Sequence, residues 1–354
     1  MYCLQYTERN SRDMGKIRVL VIDDSIVFRE LLSRGISLDK DIEVVATAKD
    51  PFEARDKIIK HEPDVVTCDI NMPKMNGIEF VRRLMPQYPL PVIVVSEVSD
   101  AVFSAMNAGA VDFVAKPDVR SAGNMETFIN EMIIKIKTAS VANVSGRKMA
   151  MYPHGAAEVT KIETDKRIIA IGASTGGTEA IFRILSSLSP SVPGIVIVQH
   201  IPPGFSKMFA DRLDYSTEFE VKEAKTGDFV ENGKVLLAPG DYHMKIRKAG
   251  ERYKVECFRG EKVNGHCPSV DVLFESVARE AGNHAVGVIL TGMGYDGAKG
   301  LLTMRRKGAR TIGQDERSSV VYGMPKVAYD VGAVERQASL DDIPKLICSM
   351  LTGR

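Results

Sequence analysis

The feature that most narrows the folds open to this chain is a relay beginning at Ile17, in which short β-branched runs alternate with amphipathic stretches of helical period. "IRVLVID" is followed by helical text over 25–36, "IEVVATA" by 51–61, "DVVTCDI" by 77–85, "PVIVVSE" by 100–107 and "VDFVAKP" by 124–137. Runs this apolar belong to strands covered on both faces, and regular β-then-α alternation predicts a doubly wound parallel sheet. From 138 to 165 the text turns small and polar, with a Pro-His-Gly break and no sustained period, and reads as a linker. The alternation then resumes in "RIIAIGA", "GIVIVQH", "AVGVILTG" and "ARTIGQD". It is interrupted by "YHMKIRKAGERYKVECF", a hairpin pattern turning at Ala249-Gly250. The expectation is α/β throughout: an arm over 1–15, a parallel-sheet domain over 16–137, the linker, and a larger parallel-sheet domain over 166–354 carrying a β-hairpin insertion. Met14 is an alternative start to Met1.

Composition removes several classes of function. With 47 basic residues against 46 acidic and a net charge of +1, nothing favours nucleic acid or an anionic membrane as partner, and no basic stripe stands out. The cysteines number five, an odd count, and form no C-x-x-C pair, which suits a reducing compartment and predicts a cytoplasmic protein. No apolar run reaches the ~20 residues of a membrane span, and residues 1–15 lack the apolar core of a signal peptide.

Carboxylates gather at the strand ends of the first domain. Asp23 and Asp24 follow the first strand and Asp69 ends the third, at the edge where parallel α/β sheets hold ligands. Such crowding calls for a divalent cation, and an all-oxygen donor set suits Mg2+. Ser96 and Lys116 end the fourth and fifth strands. A hydroxyl and an ammonium there can hold the oxygens of an acyl phosphate formed on Asp69. The motifs "VIDDS", "CDINMPKMNGIEF", "VVSE" and "DFVAKP" resemble the flavodoxin-like receiver domain of two-component response regulators. That resemblance implies that Asp69 accepts phosphate from a histidine kinase and that Asp24, Asp69 and the main-chain carbonyl of Asn71 bind Mg2+. It also gives Asp23 an assisting role and makes Ser96, Phe113 and Lys116 the switch hydroxyl, switch aromatic and phosphate-contacting lysine.

The second domain opens on "RIIAIGASTGG". Gly172 and Gly177 have the glycine spacing of a P-loop, but Thr178 stands where its lysine belongs and Glu179 follows, a carboxylate that would repel a triphosphate. Read instead as G-x-S-x-G at a strand-to-helix turn, the segment mounts Ser174 as a nucleophile, provided that a base lies nearby. Of the six histidines, His61 and His154 lie in the first domain and the linker, His243 and His266 in or beside the insertion, and His284 before a strand. His200 alone ends a strand at the same sheet edge as Ser174. Asp296, after the glycine-rich "LTGMGYDG", is the candidate acid, a cap for the helical text behind it, or both. A backbone amide in that turn, that of Met293, can point into an oxyanion hole.

The second domain is similar to the catalytic domain of the chemotaxis protein-glutamate methylesterase family through "AIGASTGGTEAI", "VQHIPPGFSKMFADRL", "LLAPGDYHM", "PSVDVLFESVA", "LTGMGYDGAKGL" and "GQDERSSVVYGMPKVA". Ser174, His200 and Asp296 fall on that family's triad, and the fold implied is Rossmann-like. The resemblance implies hydrolysis of glutamyl methyl esters and deamidation of glutamines on the cytoplasmic helices of chemoreceptors. No cofactor is implied for the hydrolysis, and the resting receiver is expected to restrain it until phosphorylated. A response regulator whose output domain only binds a partner is the rival reading, and a nucleotide-binding module a third.

Overall fold

The structure is a computed structural model that describes residues 15–97, 101–117, 122–144 and 166–352, the side chains of residues 122 and 123 excepted. Nearly all of the expected N-terminal arm, most of the expected linker, and His154 lie outside the described residues. The chain divides into two compact units, one around each large sheet.

In chain order the N-terminal elements are β1 (Ile17–Ile22), α1 (Ile26–Ile36), β2 (Ile42–Ala48), α2 (Pro51–His61), β3 (Val65–Asp69), α3 (Gly77–Gln87), β4 (Val92–Ser96), α4 (Ala101–Asn107), β5 (Asp112–Ala115) and α5 (Ala122–Ala139). Helix starts are set by side-chain caps: Ser25 accepts the Phe28 amide, Asp50 those of Phe52 and Glu53, and Asn76 that of Glu79. The parallel sheet runs β2-β1-β3-β4-β5, the flavodoxin-like order. Every residue of β3 and β4 is buried, as strands covered on both faces require. Order reverses between β1 and β3, so the crevice at this switch point opens where Asp23, Asp24 and Asp69 stand.

The second unit contains β6 (Ile168–Ala173), α6 (Gly177–Ser187), β7 (Ile195–Gln199), α7 (Phe205–Ser216), β8 (Glu220–Glu223), β9 (Phe229–Val230), β10 (Lys234–Leu237), β11 (His243–Ala249) and β12 (Arg252–Phe258). It continues with α8 (Val270–Glu280), β13 (Ala285–Ile289), α9 (Ala298–Arg306), β14 (Arg310–Gln314), α10 (Met324–Asp330), β15 (Arg336–Ala338) and α11 (Ile343–Thr352). Its main sheet runs β15-β14-β13-β6-β7-β10-β8, and every pairing in it is parallel. The expected hairpin forms from β11 and β12, with Gly250 at φ 65°, and β9 extends it into a three-stranded antiparallel sheet. Met244, Ile246, Tyr253 and Val255 on its inner face share one core with Val270, Leu273, Phe274 and Val277 of α8. The insertion is thereby fixed against the helix whose N-terminus reaches the catalytic candidates.

Candidate active site and acidic pocket

In the second unit, strand order reverses between β6 and β13, and the loops leaving β6, β7 and β13 meet there. Register pairs Ala173 with Gln199, so Ser174 and His200 are the first residues beyond two neighbouring strands. The His200 amide donates to Ala173 O at 3.0 Å, and the Ser174 amide donates to Thr291 O at 3.0 Å. Gln199 spans the gap, its Nε2 donating to the carbonyls of Ser174 and His200 at 2.9 and 3.0 Å. The serine thus sits on a short turn tied to both flanking strands. Gly292 must lack a side chain, since a Cβ there would fall 2.6 Å from that of Ser174.

Asp296, 1% exposed, is saturated with donors. Its Oδ2 accepts from His200 Nε2 at 2.9 Å and the Val270 amide at 2.6 Å. Its Oδ1 accepts from Asn264 Nδ2 and Ser269 Oγ, both at 2.8 Å, and from the Asp271 amide at 3.2 Å. Burial works to raise its pKa. The hydrogen bond and charge of His200, with the Asn264 and Ser269 donors, overcome this and hold the carboxyl well below the usual range. Asp296 does not cap the helix that follows it, where Gly297 stands at the N-cap. It caps α8 instead, taking the first amides of a helix from another segment.

A carboxylate only accepts, so the Nε2 of His200 carries a proton, and in the neutral ring Nδ1 is the lone-pair nitrogen that a general base needs. That Nδ1 is buried and has no hydrogen-bond partner among the described residues. The Ser174–His200 hydrogen bond is not made here, and catalytic hydrogen bonds often tighten only when substrate binds.

The sequence reading set His266 aside with the insertion, yet its ring stacks on His200, centroids 3.7 Å apart and planes 7° from parallel. Its Nδ1 lies 2.9 Å from Asn264 O, which fixes the proton on that nitrogen. Burial, then the charge of His200, pushes its pKa down to about 4, so this second imidazole is neutral at physiological pH. His200, His266 and Asp296 bring metal-capable atoms within 4.8 Å of one another. Parallel stacked rings do not aim their lone pairs at one point, and two of their nitrogens are committed to hydrogen bonds, so this set is a poor metal site. Met293 is 39% exposed, and among the described residues its amide donates to no protein acceptor.

In the first unit, Asp23 and Asp69 are 1% and 3% exposed. Lys116 Nζ reaches them at 2.9 and 3.2 Å and lies 4.5 Å over the Phe28 ring. Burial, reinforced by the charge of Asp23, raises the Asp69 pKa against the pull of Lys116. Burial tends to lower that of Lys116, but the two carboxylates prevail and raise it. Asp23, Asp24 and Asp69 place carboxylate oxygens within 4.8 Å of one another, a hard-oxygen set that fits Mg2+. Ser96 Oγ is buried without a hydrogen-bond partner among the described residues, Phe113 is turned inward and buried, and the Asn71 amide bonds the Asp69 carboxylate.

Comparison with known proteins follows this division. A family model described as CheB methylesterase matches residues 169–347, and one described as response regulator receiver domain matches 19–122. A protein-glutamate methylesterase/protein-glutamine glutaminase 2 of Syntrophomonas wolfei is 56% identical over 341 residues, spanning 96% of this chain and 98% of the relative. Its counterpart from Escherichia coli K12 is 44% identical over 345 residues, spanning 96% and 98%. The crystal structure of the Thermotoga maritima CheB methylesterase catalytic domain is 36% identical, with a TM-score of 0.51, covering 52% of this chain and 98% of that one.

Proposed function

Because the chain belongs to the CheB methylesterase family and carries a response regulator receiver domain, we propose that its second unit is a serine hydrolase acting on glutamyl methyl esters of chemoreceptor helices. The observation that carries this reading is the state of His200. One ring nitrogen is held by a buried carboxylate, and the other is buried without a hydrogen-bond partner among the described residues, at the strand end next to the one that mounts Ser174.

In this mechanism Ser174 Oγ attacks the ester carbonyl while His200 Nδ1 takes its proton, and Asp296 stabilises the imidazolium through Nε2. The oxyanion is received by the Met293 amide. His200 returns the proton to the leaving oxygen, methanol departs, and a glutamyl ester of Ser174 remains. Water, deprotonated by the same Nδ1, then releases glutamate and free serine. With a glutamine substrate the same steps release ammonia.

For the first unit we infer phosphorylation at Asp69 by a chemotaxis histidine kinase. Asp24, Asp69 and the Asn71 carbonyl would hold Mg2+, which when bound neutralises charge on the transferring phosphoryl group. In this reading Lys116 and the Ser96 hydroxyl, buried without a partner among the described residues, receive phosphoryl oxygens, and Asp23 assists the metal site. The cytoplasm is the proposed location. Among the described residues, no helix is long and apolar enough to cross a membrane.

The test is methanol release from methylated receptor, paired with fluorophosphonate labelling. The native chain should turn over and label at Ser174, whereas Ser174→Ala should lose both with its melting temperature nearly unchanged. His200→Ala should be comparably severe, on the order of 10^4- to 10^6-fold in kcat, and the double variant no worse, since triad members act as a unit. Retained turnover in Ser174→Ala would reject the triad and favour an output domain that only binds.

A further inference from the structure

We propose that Asn264 is a positioning residue for the triad, orienting Asp296 directly and fixing His266 against the outer face of His200. This rests on the triad reading above. Asn264 and Gly265 are the two central residues of a tight hairpin closed by reciprocal 3.0 Å hydrogen bonds between Val263 and His266, with φ of 54° and 84°. Such a turn favours Asn-Gly for backbone reasons alone. The turn makes no use of the carboxamide, however. Nδ2 donates to Asp271 Oδ2 at 2.7 Å and to Asp296 Oδ1 at 2.8 Å. Both partners accept only when ionised, and Asp271, pushed up by burial to about 6, is ionised with Asp296 at neutral pH, so the amide nitrogen faces them there. A single NH2 group therefore spends its two protons on two buried acids that would otherwise confront each other.

The same residue acts again through its main chain, whose carbonyl accepts from His266 Nδ1 at 2.9 Å. That bond sets the tautomer and orientation of the ring lying 3.7 Å over His200. His200 is thus held at its Nε2 edge by Asp296 and covered on one face by His266, and Asn264 touches both supports. The titratable groups in this assembly are His200, His266, Asp271 and Asp296. Glu275 adds charge near Asp271 and Lys262 near His266.

The test uses full-length protein and methanol release from methylated receptor between pH 5 and 9. Asn264→Gly keeps the positive φ at no steric cost and deletes only the carboxamide. Expected is a kcat about 10- to 100-fold lower with KM within about two-fold, the order that misplacing a catalytic group costs, together with a displaced acid limb. Asn264→Asp adds a third acid, so its activity relative to native should be lowest at high pH and recover as pH falls. Asn264→Gly with native kcat and pH profile would overturn the proposal. So would a loss that only tracks the folded fraction, with the profile unmoved. Should Asn264→Gly not fold, the pH-dependent ratio in Asn264→Asp decides, and a constant ratio rejects the idea. Ser174→Ala in parallel separates the two failures. If that variant is inactive while Asn264 variants are native-like, only this proposal falls; if it stays active, the triad itself does.

Discussion

His200 and His266 are the same side chain in different electrostatic circumstances, one ring bonded to a buried carboxylate and the other, among the described residues, to a main-chain carbonyl. The consequence for His266 is a testable dependence of stability on pH. Its folded pKa of about 4 lies below the ordinary 6.5, so between those values the unfolded chain binds a proton that the folded chain refuses. The stability it allows is full above pH 6.5 and is lost as pH falls towards 4. Urea unfolding of the second unit at pH 7 and pH 4.5 should therefore show a smaller acid loss in His266→Gln than in the native chain. Equal losses would mean that the ring is protonated at no cost, and so is not sealed against His200 as the stacking implies.

At the scale of elements, the acid of the triad is also a structural part of α8. The N-cap residue Ser269 makes no cap bond of its own because its hydroxyl donates to Asp296, and the Asp296 carboxylate takes the first amides of the helix instead. Asp296→Ala should then differ from Ser174→Ala in kind. Besides activity, it should lose about 2–4 kcal/mol, from the missing cap and from the buried donors left without an acceptor. Thermal melting of the two variants side by side checks this, and unchanged stability in Asp296→Ala would show the capping contacts to be incidental. This double role also marks where the sequence stopped being legible. The sequence offers Asp296 as the triad acid, as the cap of the helix behind it, or as both, because capping is ordinarily local, whereas here a carboxylate caps a helix 26 residues earlier in the chain. The four apolar runs "RIIAIGA", "GIVIVQH", "AVGVILTG" and "ARTIGQD" are the contiguous centre of the seven-stranded sheet, since buried parallel strands announce themselves by composition. Outer strands such as β8, "EVKE", do not, with only Val221 deeply buried. His266 is set aside on sequence because a residue's place in an insertion says nothing of where the insertion folds back. The Asn264-Gly265 dipeptide was the available signal, since a tight hairpin there throws its flanking residues to one side.

At the scale of the whole molecule, the acidic pocket and the triad belong to different compact units, so phosphorylation can affect hydrolysis only as a coupling free energy between them. Asp69→Asn separates the two chemistries. It should abolish phosphate incorporation and stimulation while leaving basal esterase, because among the described residues the hydrogen bonds of Asp296 and His200 are made within the second unit. Excess chelator should likewise block stimulation and spare basal turnover. The sign of the coupling is tested by removing all residues before Ala157, which leaves the second unit, whose counterpart in Thermotoga maritima has been solved as a separate catalytic domain. If the unphosphorylated receiver restrains the enzyme, the shortened chain should exceed the full-length resting chain. If phosphorylation also adds a favourable contribution, the phosphorylated full-length protein should exceed both. Coupling of ~1–3 kcal/mol corresponds to roughly 5- to 150-fold activation, well within the range of a methanol-release assay with and without an acyl-phosphate donor. A shortened chain less active than the resting full-length protein would reverse the sign, making the receiver an obligatory activator or a substrate-docking module. Stimulation persisting in Asp69→Asn would move the phosphoacceptor away from the pocket altogether.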